Sequence, residues 1–179
     1  DLNKNVSDKA GNEKEVSGYR NIDAVLPTVA GKYVLINGGN IGDFAGTVYV
    51  NGSEDVTVWG EFSDSHSGAA NSITFEIQPD TEGAAAVTLT GITTEYSTGD
   101  LPASRTEPMP AFTTYNSSNK TIIRAWKATI PGNLLDNGSL KVSGKDIAGN
   151  QSYAMQSIKL VKDITAPAID PASISITDT

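Results

Sequence analysis

The chain has 179 residues and a net charge of −8, with 13 Lys and Arg against 21 Asp and Glu, one His and no Cys. The acidic residues are scattered and no basic patch offers itself to nucleic-acid phosphates; without Cys there is no disulfide framework, thiolate zinc site or cysteine nucleophile. No apolar run reaches the roughly 18 residues a membrane-spanning helix needs, so direct membrane insertion is not expected.

Residues 1–23 open with Asp1-Leu2-Asn3-Lys4, which carries no apolar leader core, and contain Asp8-Lys9-Ala10-Gly11-Asn12 followed by Asp23-Ala24-Val25-Leu26-Pro27. Both motifs return in the same order, as Asp146-Ile147-Ala148-Gly149-Asn150 and Asp163-Ile164-Thr165-Ala166-Pro167, displaced by 138 and 140 residues. Repetition at nearly one spacing points to tandem units. Residues 1–23 therefore read as the closing hairpin of a preceding repeat, 24–163 as one complete repeat, and 164–179 as the linker and first strand of the next.

Within 24–163 helical periodicity is missing, and short β-branched or aromatic stretches alternate between Gly, Asn, Asp and Pro. Lys32–Ile36 and Thr47–Val50 read as strands around the loop Asn37-Gly38-Gly39-Asn40. Asp55–Phe62 follows, with Val56, Val58 and Phe62 on one face, then Ser72–Ile77 with Ile73, Phe75 and Ile77 together. Ala86–Thr93, Thr121–Ile130, Ser139–Gly144 and Ser152–Val161 complete the series. Asn51-Gly52 and Asn137-Gly138 are good turn formers. About seven or more short strands in this arrangement predict an all-β chain folded as an antiparallel β-sandwich.

The run from Thr94 to Ser118 is long for a loop, and loops beyond about 12–15 residues are often functional. It holds Tyr96, Arg105, Met109, Phe112 and Tyr115 among three prolines. Its aromatics could stack on a sugar or peptide, or the segment could be a flap over an open sheet face. Trp59 alternates away from Val56, Val58 and Phe62, either beneath such a flap or as an exposed platform. Trp59, Tyr96, Arg105, Phe112 and Tyr115 are the candidate ligand-binding residues, and Trp126 reads as core.

The run Trp126-x-Ala-x-Ile-Pro131, then Asp136-Asn-Gly138, Val142, Asp146-x-Ala-Gly-Asn150 and Asp163-x-x-Ala-Pro167, resembles bacterial immunoglobulin-like domains. Phe62-Ser-Asp64-Ser-His-Ser-Gly68 with Ile73-Thr-Phe-Glu-Ile77 is similar to the same family's second-to-third strand region. The resemblance covers about 54–80 and 121–170, plus 6–29 for the preceding copy. Leu140 stands where the family often has Tyr, and the long spacing implies insertions near 31–53 and 94–118. The resemblance implies an immunoglobulin-like tandem repeat in a large extracellular or cell-surface bacterial protein of the adhesin or biofilm-matrix kind.

In such a sandwich the second-to-third and sixth-to-seventh strand loops lie where the chain enters, so Asp64, Asp146 and Asn150 should meet Asp23. Asp80, after the third strand, should point the other way. One role of Asp-x-Ala-Gly-Asn is purely structural, a tight connection with Gly left-handed and Asp and Asn bonded to backbone. The other is Ca²⁺ at the junction, because the ion takes about six to eight oxygens from separate segments. Asp163 would then face a following repeat, and Asp8 and Asn12 a preceding one.

Catalysis is not expected. His66, the sole His, lies in the polar loop Ser63–Gly68, and with no Cys most triads and His-based zinc sites cannot be assembled. No carboxylate pair sits in a glycosidase-like signature, and Gly38-Gly39-Asn40-Ile41-Gly42 lacks the Lys and helix of a phosphate loop. The expected role is a structural or adhesive stalk module whose partners are neighbouring repeats and a host or matrix glycan or protein. The alternative is a carbohydrate- or receptor-binding module using the 94–118 segment and Trp59.

Overall fold

The computed structural model describes residues 2–7, 10, 13–18, 23–36, 39–64 and 66–165. The expected strand within 166–179 and both Asp8 and Asn12 fall outside these residues. Strands β1 (Leu2–Ser7) and β2 (Glu13–Gly18) form an antiparallel hairpin, a two-stranded sheet of its own, paired from Ser7↔Glu13 to Leu2↔Gly18.

The rest is a β-sandwich of two sheets. The first contains β3 (Thr28–Ile36), β4 (Gly42–Asp43), β6 (Val56–Ser63), β9 (Thr93–Ser97) and β10 (Ala125–Ile130), in the order β4-β3-β6-β10-β9. The second contains β5 (Thr47–Val50), β7 (Thr74–Gln78), β8 (Val87–Leu89), β11 (Gly138–Lys145), β12 (Gln151–Tyr153) and β13 (Ile158–Lys162). Its order is β5-β13-β11-β7-β8, with β12 also paired to β11. Among the described residues helix is confined to two short 3₁₀ turns, Ser117–Asn119 and Gly132–Leu134.

Alternation builds the core between the sheets. Val56, Val58 and Phe62 face Phe75, Ile77, Leu140 and Val142, and Trp126, Ala128 and Ile130 complete the layer. Each large side chain so buried contributes about 1.5–3 kcal/mol. Trp126, fully buried, meets Phe75 edge-on at 5.7 Å and donates its indole N–H to the Glu61 carbonyl at 3.2 Å. The indole lies on the backbone at Gly60, where a Cβ would stand 2.0 Å from its ring. Only glycine fits there.

The structure departs from the expected strands in four places. First, Lys32–Ile36 and Thr47–Val50 are strands as expected, but β3 begins earlier, at Thr28, and pairs with β6 in one sheet, whereas β5 joins the other. Asn37 and Gly38 of the intervening loop are outside the described residues. The stretch 31–53 supplies most of β3, all of β4 and β5, and so strands to both sheets. Second, β5 runs parallel to β13, so the sandwich is mixed and not wholly antiparallel. Third, Ala86–Thr93 divides into β8 and β9, on opposite sheets, because the chain turns at Gly91, whose φ of 77° suits glycine. Fourth, Ser152–Val161 breaks into β12 and β13 around a fully exposed Met155.

The first sheet is covered on its outer side as well. Tyr33, Trp59, Leu101 and Ala125 form a second buried cluster, with Leu35, Ile41, Met109 and Phe112 packed against it. The cover is a strap, residues 98–118. Tyr33 Oη donates to the Pro102 carbonyl at 2.7 Å, and Tyr96 and Thr113 exchange backbone bonds at 2.7 and 3.0 Å. Lys127 pairs with Glu95 and lies 5.8 Å over the Phe112 ring.

Candidate metal centre

Two loops and a linker converge beyond the end of β6 and β11. Asp64 follows β6 and turns the chain back upon itself. Its carboxylate accepts the His66 amide at 3.2 Å on one oxygen, and the Ser67 hydroxyl at 3.2 Å and the Gly68 amide on the other. Such local bonds are the usual preference of Asp in loops. The backbone then bridges Ala69 to Asp146, and Ile147 N–H donates to the Gly68 carbonyl at 2.9 Å. This ties the Asp-x-Ala-Gly-Asn turn to the Asp64 loop.

Within that turn Gly149 has φ 93°, the left-handed setting the motif requires. Asp146 is 1% exposed. Its oxygens accept the Asn150 backbone amide at 2.8 Å and the Asn150 side-chain amide at 2.7 Å. Asn150 Nδ2 also donates to the carbonyls of Asp23 at 3.0 Å and Val25 at 3.3 Å, clamping the linker to the domain. Asn150 therefore enters this cluster through its nitrogen, where the sequence suggested a ligand oxygen.

Asp23 completes the group. One oxygen accepts Val25 N–H at 2.9 Å and the other Ser67 N–H at 3.0 Å. The Ser67 side chain and the Val25 amide hold the Asp23 carboxyl below its usual pKa. Carboxylate oxygens of Asp23, Asp64 and Asp146 all lie within 4.8 Å of one another. Among the described residues none of the ion pairs made by Lys or Arg involves them. An all-oxygen set of this charge could hold a hard cation, the class of ion that takes carboxylate ligands.

Asp163 lies at the opposite end of the sandwich, exposed, with its N–H on the Val50 carbonyl at 2.9 Å. Its carboxylate accepts Thr165 N–H at 2.9 Å, the same bond to the residue two ahead that Asp23 makes with Val25. Asp80 pairs instead with Lys159. Sequence reasoning missed Ser67, which joins Asp23 to Asp64. Its signal was the order Asp64-x-x-Ser67-Gly68, a loop-closing arrangement in which the residues after Asp donate to it.

The candidate ligand-binding residues separate. Trp59 is 7% exposed beneath the strap, and Tyr96 is 3% exposed in the main core. Tyr115 is half-buried, edge-on to Tyr96 at 5.5 Å, and donates to the Ala69 carbonyl at 2.8 Å. Phe112 is half-buried under Lys127, and Arg105 is exposed, 3.9 Å from Asp43. Trp59 is thus no platform. A cleft of about 260 Å³ between β9 and the strap is lined by Ser97, Thr98, Thr113, Asn116 and Asn119, uncharged groups only.

Among the described residues no helix is long and apolar enough to cross a membrane. No protein-family model, curated protein or solved structure matches the chain.

Proposed function

We propose that the chain is a non-catalytic stalk segment of a large extracellular bacterial surface protein, built from tandem immunoglobulin-like repeats. The observation that carries this reading is a duplicated strand–motif–strand register. In the first copy Ser7↔Glu13 closes the ladder on either side of the five-residue motif, and in the second Lys145↔Gln151 does so, both partners displaced by 138. Asn5↔Glu15 corresponds in the same way to Ser143↔Tyr153. Farther along, Leu2↔Gly18 corresponds to Leu140↔Ile158, now with the second partner displaced by 140. The two additional residues lie within 154–157, between β12 and β13, and account for the drift in spacing between the two motifs.

The sheet order also supports the reading. An early segment that switches sheets to lie parallel to the last strand, over a β3-β6-β10-β9 layer, fits an immunoglobulin-like sandwich. On this view Asp23 and Asp163 are equivalent residues of successive linkers, each the carboxylate that a preceding unit presents to the loops of the next. Ca²⁺ held by Asp23, Asp64 and Asp146 would remove their mutual repulsion and fix the linker angle. Titrating Ca²⁺ into the chain should raise its Tm by mass action and slow amide exchange around 23–27, 64–68 and 146–150. Asp64→Asn should abolish both responses. No change in Tm or exchange at millimolar Ca²⁺ overturns the junction.

The uncharged cleft beside β9 favours a second reading, a module that binds neutral glycans. Retention on a glycan array that is lost in Asn119→Leu would establish it in place of a purely structural role.

A further inference from the structure

We infer that Asn51 is the acceptor of an N-linked glycan, presented on the exposed loop that follows β5. Within the sandwich the acceptor form Asn-x-Ser/Thr occurs at Asn51, Asn116, Asn119, Asn137 and Asn150. The tripeptide alone does not tell them apart. Glycosyl transfer requires a side-chain nitrogen open to solvent and, two residues on, a hydroxyl that reaches the same amide. Among the described residues the fold meets both conditions at Asn51 alone.

Asn51 and Ser53 are both exposed, and Gly52, with φ 77°, reverses the chain between them. Asn51 Oδ1 accepts the Ser53 amide, the Ser53 hydroxyl and the Glu54 amide, each at 3.0 Å. The donors gather on the oxygen and leave Nδ2 open. Asn150 is the opposite case, because its Nδ2 is taken up by the Asp23 and Val25 carbonyls and by Asp146. At Asn137, Oδ1 accepts the Lys162 N–H at 2.8 Å, while Ser139 is paired on both sides within β11, to Gln78 and Lys159. Asn116 Oδ1 takes the Ser118 amide at 2.9 Å without its hydroxyl. Asn119 is wound into the 3₁₀ turn, its N–H on the Asn116 carbonyl at 3.0 Å.

An amide nitrogen is a poor nucleophile because its lone pair is delocalised into the carbonyl. Three donors fixed on Oδ1 stabilise the charge that collects there as Nδ2 gives up a proton, as preorganised donors do in an oxyanion hole. The co-reactant is a glycosyl diphosphate presented by a transferase. Nδ2 attacks the anomeric carbon, a C–N bond forms, and the anomeric C–O bond breaks with its electron pair leaving on the diphosphate. The proton lost from Nδ2 passes to a base of the transferase. The attached glycan is bulky and solubilising. It stands beside the exit, since Val50, immediately before Asn51, accepts the Asp163 N–H at 2.9 Å.

This site goes beyond the stalk reading and stands without it. The folded chain is incubated with a soluble transferase specific for Asn-x-Ser/Thr and a UDP-hexose, and the modified residues are read by peptide mass mapping. Asn51 should gain a hexose severalfold faster than Asn137 or Asn150. Ser53→Ala should lose that modification with little change in Tm. Gly52→Ala keeps the acceptor form but strains the turn at φ 77°, so it should slow the reaction in the folded chain and leave it unchanged in proteolytic peptides. In those peptides the preference for Asn51 over Asn137 and Asn150 should vanish, because the fold and not the tripeptide sets it. A folded chain left unmodified at Asn51, or modified as fast at Asn150, overturns the proposal. So does a Gly52→Ala chain that accepts the hexose as fast as its parent, or a preference that persists in the peptides.

Discussion

The two faces of the β3-β6-β10-β9 sheet bury tryptophans in different ways. On the inner face Trp126 lies between two sheets, fully buried, against Phe75 and the backbone of Gly60. On the outer face Trp59 is buried under an irregular strap, 98–118, held by the Tyr33 and Tyr115 hydroxyls and a two-bond bridge at Tyr96 and Thr113. The inner face is closed by strands whose backbone is satisfied within ladders. The outer face is closed by an irregular loop with few ladder bonds of its own. Equal burial therefore does not mean equal cost of removal, because a cavity costs most where its walls cannot relax.

Substitution of the two tryptophans tests this most strongly. Trp126→Ala should cost about 3–5 kcal/mol and Trp59→Ala about half of that, since the strap can settle into the space. Denaturant unfolding of both variants reads the difference, and equal losses would make the strap as rigid as a sheet. Amide exchange in Trp59→Ala should rise in 98–118 and little elsewhere.

A smaller effect is expected at the strap's anchor. Tyr33→Phe removes the bond to Pro102 and should cost about 1 kcal/mol. Exchange should speed up around 101–113 with the inner core unchanged. Protection lost equally across both sheets would show that the strap and the sandwich open together.

The inner face carries one polar misfit. Tyr96 Oη is buried and unpartnered among the described residues, although the Ile73 and Ser72 amides lie near enough to oppose, weakly, the effect of burial. Burial pushes its pKa up to about 12 from 10.0. A raised folded pKa means the neutral form is favoured in the fold, so its contribution is complete below pH 10 and declines as pH rises toward about 12. Tyr96→Phe should flatten that part of the alkaline stability profile. At neutral pH it should be neutral or stabilising by up to about 1 kcal/mol, because no bond is lost with the hydroxyl. Unchanged alkaline sensitivity in Tyr96→Phe would place the titrating group elsewhere.

Much of this was legible from residue order. Alternation marked Val56, Val58, Phe62, Phe75, Trp126 and Leu140 as inward-facing, because a strand presents successive side chains to opposite faces. The same rule set Trp59 apart from that core but could not say what lay over it, since alternation reports a face and not its cover. The repeated Asp-x-Ala-Gly-Asn motif pointed to a tight turn between strands, and its second copy, 146–150, is one, with glycine left-handed at 149. Asp23, Asp64 and Asp146 were expected together and stand together. The direction of the Asn150 amide was not legible, because either end of that group can face a carboxylate's neighbours.

Local chemistry in the sequence determined the strands, their buried sides and the turn residues, since these depend on neighbours a few positions apart. Which sheet each strand joined was decided by tertiary packing: β5 crossing to lie parallel with β13, β8 and β9 parting at Gly91, and the strap closing over Trp59. Those outcomes depend on contacts between segments far apart in the chain, for which short-range patterns carry no term.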